Sequence, residues 1–293
     1  MTPKPVITRE IALLPKRASD AHKGDAGRLV IIGGCVGDVT MVGAPALAAS
    51  AAFRSGAGLV QMVVPRELQT AVAGLAPCAT TRALPPGGEG LERIVGDFGA
   101  DAVAVGPGLG DSVSVDNLIR LLTDYPGPIV VDADGLNLLA MTKPFDMPDP
   151  RRVILTPHPG EMHRLLAGRD IKQHFENTPE QRISAAIAMV DAYGSTVALK
   201  GKGTVVTDGR RMYINETGNS GMATGGMGDV LTGIIAALLG QKMSPLEATI
   251  LGVYLHGLAG DFSAEELGRV CMTATDVVNS LPEAFGEQEP LEG

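Results

Sequence analysis

Short runs of consecutive apolar residues, many of them β-branched, alternate along the chain with longer segments in which apolar residues recur at helical spacing. The runs are nearly continuous, which is typical of strands buried on both faces of a parallel sheet. The predicted strands cover residues 28–34, 58–64, 101–106, 128–134, 152–157 and 195–201. The pattern therefore predicts an α/β fold with a largely parallel central sheet and helices on both faces.

The segments between these strands predict helices over residues 45–56, 115–125, 135–141, 161–168 and 178–194. The last has the clearest boundaries, because Thr178 can cap its start, Pro179 suits the first helical position and Gly194 suits its end. The first is rich in alanine, so it could pack closely against the sheet or against a partner chain.

The C-terminal third is predicted to contain a hairpin and then mostly helices. Residues 202–217 indicate two strands that turn at Asp208 and Gly209, a good two-residue turn pair. Helices are expected from Asp229 to about Leu281. We predict a single domain over residues 1–285 and a disordered tail over residues 286–293.

Composition narrows the class of protein. The chain has 293 residues, 45% of them hydrophobic, and a net charge of −9 with no run of Lys or Arg. Nucleic-acid binding is not expected, because it needs a basic surface to neutralise phosphates. The three cysteines lie far apart, without disulfide or metal-ligand spacing, and no apolar segment indicates secretion or membrane insertion. We expect a soluble, cytoplasmic protein without a membrane partner.

Ligand sites in parallel sheets lie beyond the carboxyl ends of the strands, so the loops there are the expected place for binding and catalytic residues. Residues 106–110 read GPGLG, which is not the dinucleotide fingerprint; its glycines indicate either close approach to a ligand or a tight turn alone. Residues 158–161 read HPGE, with Glu161 in the first turn of a helix and no zinc motif. Residues 200–204 read KGKGT, which is no Walker motif but could wrap a nucleotide's phosphates or simply carry two solvated lysines.

The most informative loop is NSGMATGGMGDVLTGIIAALLG, residues 219–240. Apolar residues from Val230 onward recur as on a buried helix face, which places Asp229 at the N-cap or in the first turn. Helix capping alone would account for Asp229, at about 1 kcal/mol. Backbone amides of Gly225, Gly226 and Gly228 beside a helix start would form an anion hole, and a carboxylate there could accept a proton during phosphoryl transfer. Both interpretations remain open at this point.

Seven motifs in order resemble one family. They are KGDAGRLVIIGG, GAPALAASAAFRSGAGLV, VGPGLG, VVDADGLNLL, ILTPHPGE, ALKGKGTVV and NSGMATGGMGDVLTGIIAALL, and they span about Lys23 to Leu239. Together they resemble the ADP/ATP-dependent NAD(P)H-hydrate dehydratases of the ribokinase-like superfamily. This resemblance implies a three-layer α/β/α sandwich. It also implies the repair of hydrated NADH or NADPH by phosphorylation of the ring hydroxyl and elimination of phosphate.

The resemblance also implies roles for individual residues. Asp229 would be the catalytic base, and Glu161 would act on Mg²⁺ through water. Ala44, Gly108, His158 and Asp229 would contact the hydrated dinucleotide; Lys200, Gly201, Lys202, Gly203, Thr204 and Gly228 would bind ADP or ATP; Gly225, Gly226 and Gly228 would form the anion hole. ADP is the expected co-substrate, giving AMP and phosphate. A homotetramer, and a separate epimerase in the same pathway, are expected as well.

Some features depart from the family's pattern or keep alternatives open. His158 stands where related kinases have asparagine, and residues 35–45 lack an expected aromatic residue near Met41. Asp132 and Asp134 could assist the metal or be purely structural. A small-molecule kinase of the same fold, acting on a vitamin precursor or a sugar, is the alternative function. A nucleotide-binding regulator without turnover is a further one, against which the carboxylate of Asp229 argues.

Overall fold

The protein is described here by a computed structural model covering residues 5–145, 147–171 and 178–289. Within these residues ten strands form one sheet in the order β1-β10-β9-β8-β7-β6-β5-β2-β3-β4. The strands are β1 (Val6–Ile7), β2 (Arg28–Ile32), β3 (Leu59–Val64), β4 (Thr80–Ala83), β5 (Ala102–Val105), β6 (Ile129–Val131), β7 (Val153–Leu155), β8 (Thr196–Leu199), β9 (Val205–Thr207) and β10 (Arg211–Ile214).

Parallel pairing dominates this sheet. β9 alone among the described strands runs antiparallel to both of its neighbours, β8 and β10. The turn that joins β9 to β10 is stabilised by Asp208, whose Oδ1 accepts hydrogen bonds from the backbone N–H groups of Arg210 and Arg211 at 2.9 and 2.7 Å. The predicted hairpin is confirmed. The carboxyl ends of β5, β6, β7 and β8 consequently lie side by side.

Helices cover both faces of the sheet. They are α1 (Gly43–Arg54), α2 (Gln69–Leu75), α3 (Leu91–Phe98), α4 (Val115–Asp124), α5 (Ala133–Ala140), α6 (Pro159–Ala167), α7 (Pro179–Tyr193), α8 (Met227–Gly240), α9 (Pro245–Leu267) and α10 (Ala274–Gly286). In β2, Leu29 and Ile31 join the core beneath α1, α8, α9 and α10, whereas Val30 and Ile32 join the core beneath α3 to α7. This alternation follows from the two-residue period of a strand, and it confirms the predicted three-layer α/β/α sandwich.

The Ala-rich helix α1 packs inside the chain. Its alanines are buried against α8 and α10, and a Cβ on Gly233 of α8 would lie 2.1 Å from the carbonyl oxygen of Ala48. The two backbones thus touch where only small residues fit. This face of α1 is occupied within the chain, which removes the suggestion that it packs against a partner.

All six predicted strands and all five predicted helices are present, with ends that differ by a few residues. Four elements were not predicted: β1, β4, α2 and α3. Two of them carry little apolar pattern, because β4 is a half-exposed edge strand and α2 buries only Val72. The last helix continues past Leu281 to Gly286, since Ala284 still packs into the core. Of the predicted tail, residues 290–293 lie outside the described residues. Within the described part of the chain, no helix combines the length and apolar character that crossing a membrane requires.

Candidate active site

The candidate site forms where β5 to β8 end. Gly106 follows β5 with φ of +126°, and a Cβ at this position would lie 1.8 Å from the carbonyl oxygen of Asp132, which follows β6. Only glycine permits this approach of the two chain segments. The glycine loop after β5 is therefore held directly against the end of β6.

The same loop brings together two residues that the sequence assigns to dinucleotide binding. A Cβ on Gly108 would lie 3.1 Å from the Cβ of Ala44 at the start of α1, and 2.8 Å from that of Met41. Asp134 fixes the loop, because its Oδ2 accepts a hydrogen bond from the N–H of Gly110 at 2.8 Å. The contacts of Asp134 favour a structural role over a metal role. Met41, near which the family's pattern has an aromatic residue, is 41% exposed.

His158 and Glu161 form a capping box at the start of α6. Nδ1 of His158 accepts hydrogen bonds from the N–H groups of Gly160 and Glu161 at 2.9 and 3.3 Å. Oε2 of Glu161 accepts the N–H of His158 at 2.7 Å, and Oε1 lies 3.3 Å from Nε2 of His158. His158 therefore makes the cap that an asparagine would make, which explains how HPGE can replace an Asn-x-x-Glu element.

The electrostatics of this cap agree with its geometry. Burial, followed by the positive charges of Lys200 and Arg164, lowers the pKa of His158, which favours the neutral imidazole whose Nδ1 can accept. Burial also raises the pKa of Glu161, while Lys200 opposes that shift. His158 leaves half of its side chain exposed, so the ring can cap the helix and still meet a ligand.

Lys200, the residue after β8, is the central cation of the site. Its Nζ forms a hydrogen-bonded ion pair with Oδ1 of Asp132 and lies 3.8 Å from Oε2 of Glu161. Oδ2 of Asp132 accepts a hydrogen bond from Oγ1 of Thr232 on α8 at 2.7 Å. Burial lowers the pKa of Lys200, but the charges of Asp132, Glu161 and Asp229 outweigh it and the net shift is upward. Lys200 is thus a charged, mostly buried group rather than a solvated surface lysine.

Asp229 lies in the first turn of α8, three residues after the N-cap Gly226. Burial raises the pKa of Asp229 to about 7, with a further upward contribution from Asp132 and a downward one from Lys200. A carboxylate with a pKa near neutrality can take up a proton and release it again under physiological conditions. Gly226, not Asp229, is the N-cap, and Asp229 makes no capping hydrogen bond, so a simple cap does not account for it.

The three glycines before Asp229 have different surroundings. Gly226 has φ of +90°, and a Cβ there would lie 2.7 Å from Cδ1 of Leu47 on α1. Gly225 has no other group within 4 Å of such a Cβ. A Cβ on Gly228 would lie 3.4 Å from Nζ of Lys200 and 3.6 Å from Oδ2 of Asp132. Gly228 thus faces the buried ammonium, and Gly226 shapes the turn.

The predicted nucleotide loop, residues 200–204, connects β8 to β9. The N–H of Lys200 donates to the carbonyl oxygen of Pro157 at 2.8 Å. Oγ1 of Thr204 donates to the carbonyl oxygen of Gly201 at 2.9 Å and accepts its N–H at 3.3 Å. Gly201 and Lys202 are exposed. The loop is therefore tied at both ends, with its middle open to a ligand.

The site residues suit a magnesium ion held mainly by a nucleotide. Among the described residues, no three His, Cys, Asp or Glu side chains form a cluster that could hold a metal on its own. Mg²⁺ commonly keeps several waters and binds one or two carboxylates together with substrate phosphates. Both oxygens of Glu161 already contact His158, so contact through water fits this residue better than direct ligation.

The sequence pointed to most of these residues but not to their pairing. It left open whether Lys200 is a solvated lysine and whether Asp132 assists a metal or is structural, and it did not identify Thr232. Asp132 and Lys200 each lie near the carboxyl end of a predicted buried strand, and that shared position was the available signal. Thr232 carried no signal beyond its place one helical turn after Asp229.

Comparisons with known proteins agree on the family. A family model described as NAD(P)H-hydrate dehydratase matches residues 29–283. The bifunctional NAD(P)H-hydrate repair enzyme Nnr of Moorella thermoacetica is 43% identical over 282 residues, which cover 92% of this chain and 51% of that protein. The protein of the same name from Escherichia coli is 40% identical over 279 residues, covering 92% of this chain and 49% of that protein.

A solved structure gives the same result. The ADP/ATP-dependent NAD(P)H-hydrate dehydratase from Bacillus subtilis, co-crystallised with ATP and Mg²⁺, superimposes with a TM-score of 0.78 at 28% identity, covering 94% of this chain and 95% of that one. The chain spans about half the length of the curated relatives it matches. The chain belongs to the NAD(P)H-hydrate dehydratase family.

Proposed function

We propose that this chain is an ADP-dependent NAD(P)H-hydrate dehydratase that returns hydrated NADH or NADPH to the reduced cofactor. The observation that carries the proposal is Asp229, a carboxylate with its pKa raised to about 7, in the same turn as Gly228, which faces the ammonium of Lys200. This arrangement offers a proton acceptor next to a positively charged group that can stabilise a phosphoryl group. The family match supplies the substrate class.

The proposed reaction has two steps. The ring hydroxyl of the hydrated dinucleotide attacks the terminal phosphorus of ADP, its proton passes to Asp229, and AMP leaves. The carbon–oxygen bond to the new phosphate then breaks as a proton leaves the neighbouring ring carbon, which restores the dihydronicotinamide. The products are NAD(P)H, AMP and phosphate, and ATP would give ADP in place of AMP.

The other predicted residues surround these two reactants. Ala44, Gly108 and His158 would contact the dinucleotide, and residues 200–204 would hold the nucleotide. Gly225, Gly226 and Gly228 would offer their backbone amides to the transferred phosphoryl group. Lys200 would lie between the nucleotide loop and the anion hole, because it belongs to that loop and its ammonium faces Gly228.

Mg²⁺ is proposed as the required cation. It would neutralise the phosphates of the nucleotide, and Glu161 would contact it through water. The relatives' description as bifunctional concerns those proteins. We propose that an epimerase acting in the same pathway interconverts the two epimers of the hydrate on which this chain acts. A cytoplasmic location is supported by the three free cysteines, Cys35, Cys78 and Cys271, and a homotetramer by family resemblance alone.

The test is recovery of the 340-nm absorbance of NADH from hydrated NADH with Mg²⁺ and either ADP or ATP. We expect recovery with at least one nucleotide, ADP being preferred, and formation of AMP and phosphate in amounts equal to the NADH recovered. A protein that recovers no NADH but phosphorylates a vitamin precursor or a sugar would instead be a kinase of the same fold. A protein that binds nucleotide and turns over neither substrate would be a regulator.

A further inference from the structure

Arg182 is a buried cation beneath the nucleotide loop. It lies on α7 with 4% of its surface exposed. Its Nη2 donates to the carbonyl oxygen of Leu199 at 2.8 Å and to that of Gly203 at 3.5 Å. These carbonyls stand on the two sides of the loop over residues 200–204, so one guanidinium group joins the two sides.

The guanidinium also lies directly under the middle of the loop. A Cβ on Gly201 would be 3.0 Å from Nη1 and 3.4 Å from Cζ of Arg182. Gly201 has φ of +140°, a conformation that side chains rarely adopt. The loop therefore passes over a flat, charged group that leaves no room for a side chain at this point.

The chemistry of arginine suits this position. Both carbonyls are reached from one nitrogen, Nη2, whose two N–H donors are held in the plane of the guanidinium, whereas the ammonium of lysine is a flexible point charge without that planar arrangement. The helix that carries it is itself well fixed, because Ala185, Ala186 and Met189 of α7 are buried against the sheet. The position of the loop is thus set from a rigid element below it.

We propose that Arg182 is a positioning residue for nucleotide binding: it holds the loop over residues 200–204 in the position and backbone conformation in which the loop binds ADP or ATP. The inference rests on the proposed function, since it takes this loop as the nucleotide site. Arg182 touches the loop backbone and not the reacting atoms, so it acts on nucleotide affinity. The dinucleotide residues Ala44 and Gly108 belong to other segments and are not expected to respond.

The experiment compares Arg182→Lys with a matched control, Arg152→Lys. Arg152 is also a buried arginine, and it donates to the backbone carbonyls of Gly127 and Leu122. It lies at the amino end of β7, away from the carboxyl strand ends where the candidate site forms. Binding of ADP is measured by titration calorimetry, the KM values for ADP and hydrated NADH are measured separately, and the melting temperature is recorded for each protein.

For Arg182→Lys we expect the Kd and KM for ADP to rise about tenfold, as for a group displaced within a binding site, with the KM for hydrated NADH within about twofold of wild type. Arg152→Lys should lose comparable thermal stability and keep wild-type ADP binding. Thr204→Val, which removes the loop's internal hydrogen bonds, should weaken ADP binding as Arg182→Lys does, and it tests the loop if Arg182→Lys does not fold.

Unchanged ADP binding in Arg182→Lys, or equal weakening in Arg152→Lys, would overturn the proposal. A failure of the proposed function looks different, because wild-type protein would then restore no NADH, whether or not it binds ADP or ATP. If Arg182→Lys does not fold, unchanged ADP binding in Thr204→Val would overturn the proposal.

Discussion

Lys200 and Asp132 form a buried ion pair between the ends of β8 and β6, with side chains 17% and 1% exposed. The second oxygen of Asp132 accepts a hydrogen bond from Thr232 on α8, the helix that carries Asp229. One carboxylate thus links two strand ends to the helix of the candidate base. Burial is the main cause of the raised pKa of Asp229; the negative charge of Asp132 raises it further and the ammonium of Lys200 lowers it, so the pair adjusts how readily Asp229 takes up a proton.

The pH dependence of the reaction should report this balance. Only ionised Asp229 can accept a proton, and its pKa lies near 7, so kcat/KM should rise with pH through about 7 and level off above it. In Asp132→Asn the carboxylate that raises this pKa is gone, and the rise should move to lower pH. The nucleotide's own phosphate titrates equally in both proteins, so the difference between the two profiles isolates the enzyme group. Superimposable profiles would rule out Asp132 as a contributor to the raised pKa of Asp229.

The three glycines should respond differently to alanine. Gly228→Ala should fold normally, because its new Cβ meets ordinary contact distances, but it should bind nucleotide phosphates poorly because the methyl group fills the space facing Lys200. Gly226→Ala should lose about 1–2 kcal/mol of unfolding free energy, since φ is +90° and Leu47 lies in the way. Gly225→Ala, with open space around it, should fold normally and is the stability control for both. Melting temperatures and ADP titrations separate the three, and normal ADP binding by Gly228→Ala would contradict the assignment.

His158 is predicted to have two separable roles. His158→Asn keeps an acceptor for the N–H groups of Gly160 and Glu161, so stability should stay near that of wild type, whereas His158→Ala should lose about 1 kcal/mol with the cap. Both variants should raise the KM for hydrated NADH, because neither retains the imidazole. A wild-type KM in His158→Asn would reduce His158 to a helix cap.

Asp229 should cost stability where it is ionised. Its pKa is raised from 3.8 to about 7 in the folded protein, so between these two values the unfolded chain loses the proton that the folded protein keeps, and stability falls as the pH rises through this range. Asp229→Asn should therefore melt a few degrees higher than wild type at about pH 8, given about 2–4 °C per kcal/mol in a domain of this size. The difference should shrink as the pH is lowered through this range and disappear below about pH 4, where the aspartate is protonated in both the folded and the unfolded chain. A melting temperature that falls equally at both pH values would indicate a structural role.

The sequence predicted the local elements well because the physics behind them is local. Continuous apolar runs identify the buried strands, and Thr178 and Gly194 mark the ends of α7 as predicted. It also placed Asp229 at the start of a helix. The edge strand β4, with its partly exposed TTRA sequence, has no such signal.

What the sequence could not supply was the pairing of distant groups. Lys200 and Asp132 are 68 positions apart, and Thr232 is 100 positions from Asp132. Their contact depends on the strand order, in which β7 alone separates β6 from β8, and on the packing of α8 over the sheet. The pKa of Asp229 follows from that same packing, so the strongest argument for a base emerges only in three dimensions.

The central claim is that Asp229 accepts the proton of the attacking hydroxyl. The direct test measures NADH, AMP and phosphate formed from hydrated NADH and ADP by wild type, Asp229→Asn and the control Asp116→Asn, which changes an exposed first-turn aspartate of α4. We predict equal amounts of the three products from wild type and Asp116→Asn, and a turnover at least about 10²-fold lower in Asp229→Asn with ADP binding retained. Turnover by Asp229→Asn at the rate of Asp116→Asn would contradict the account.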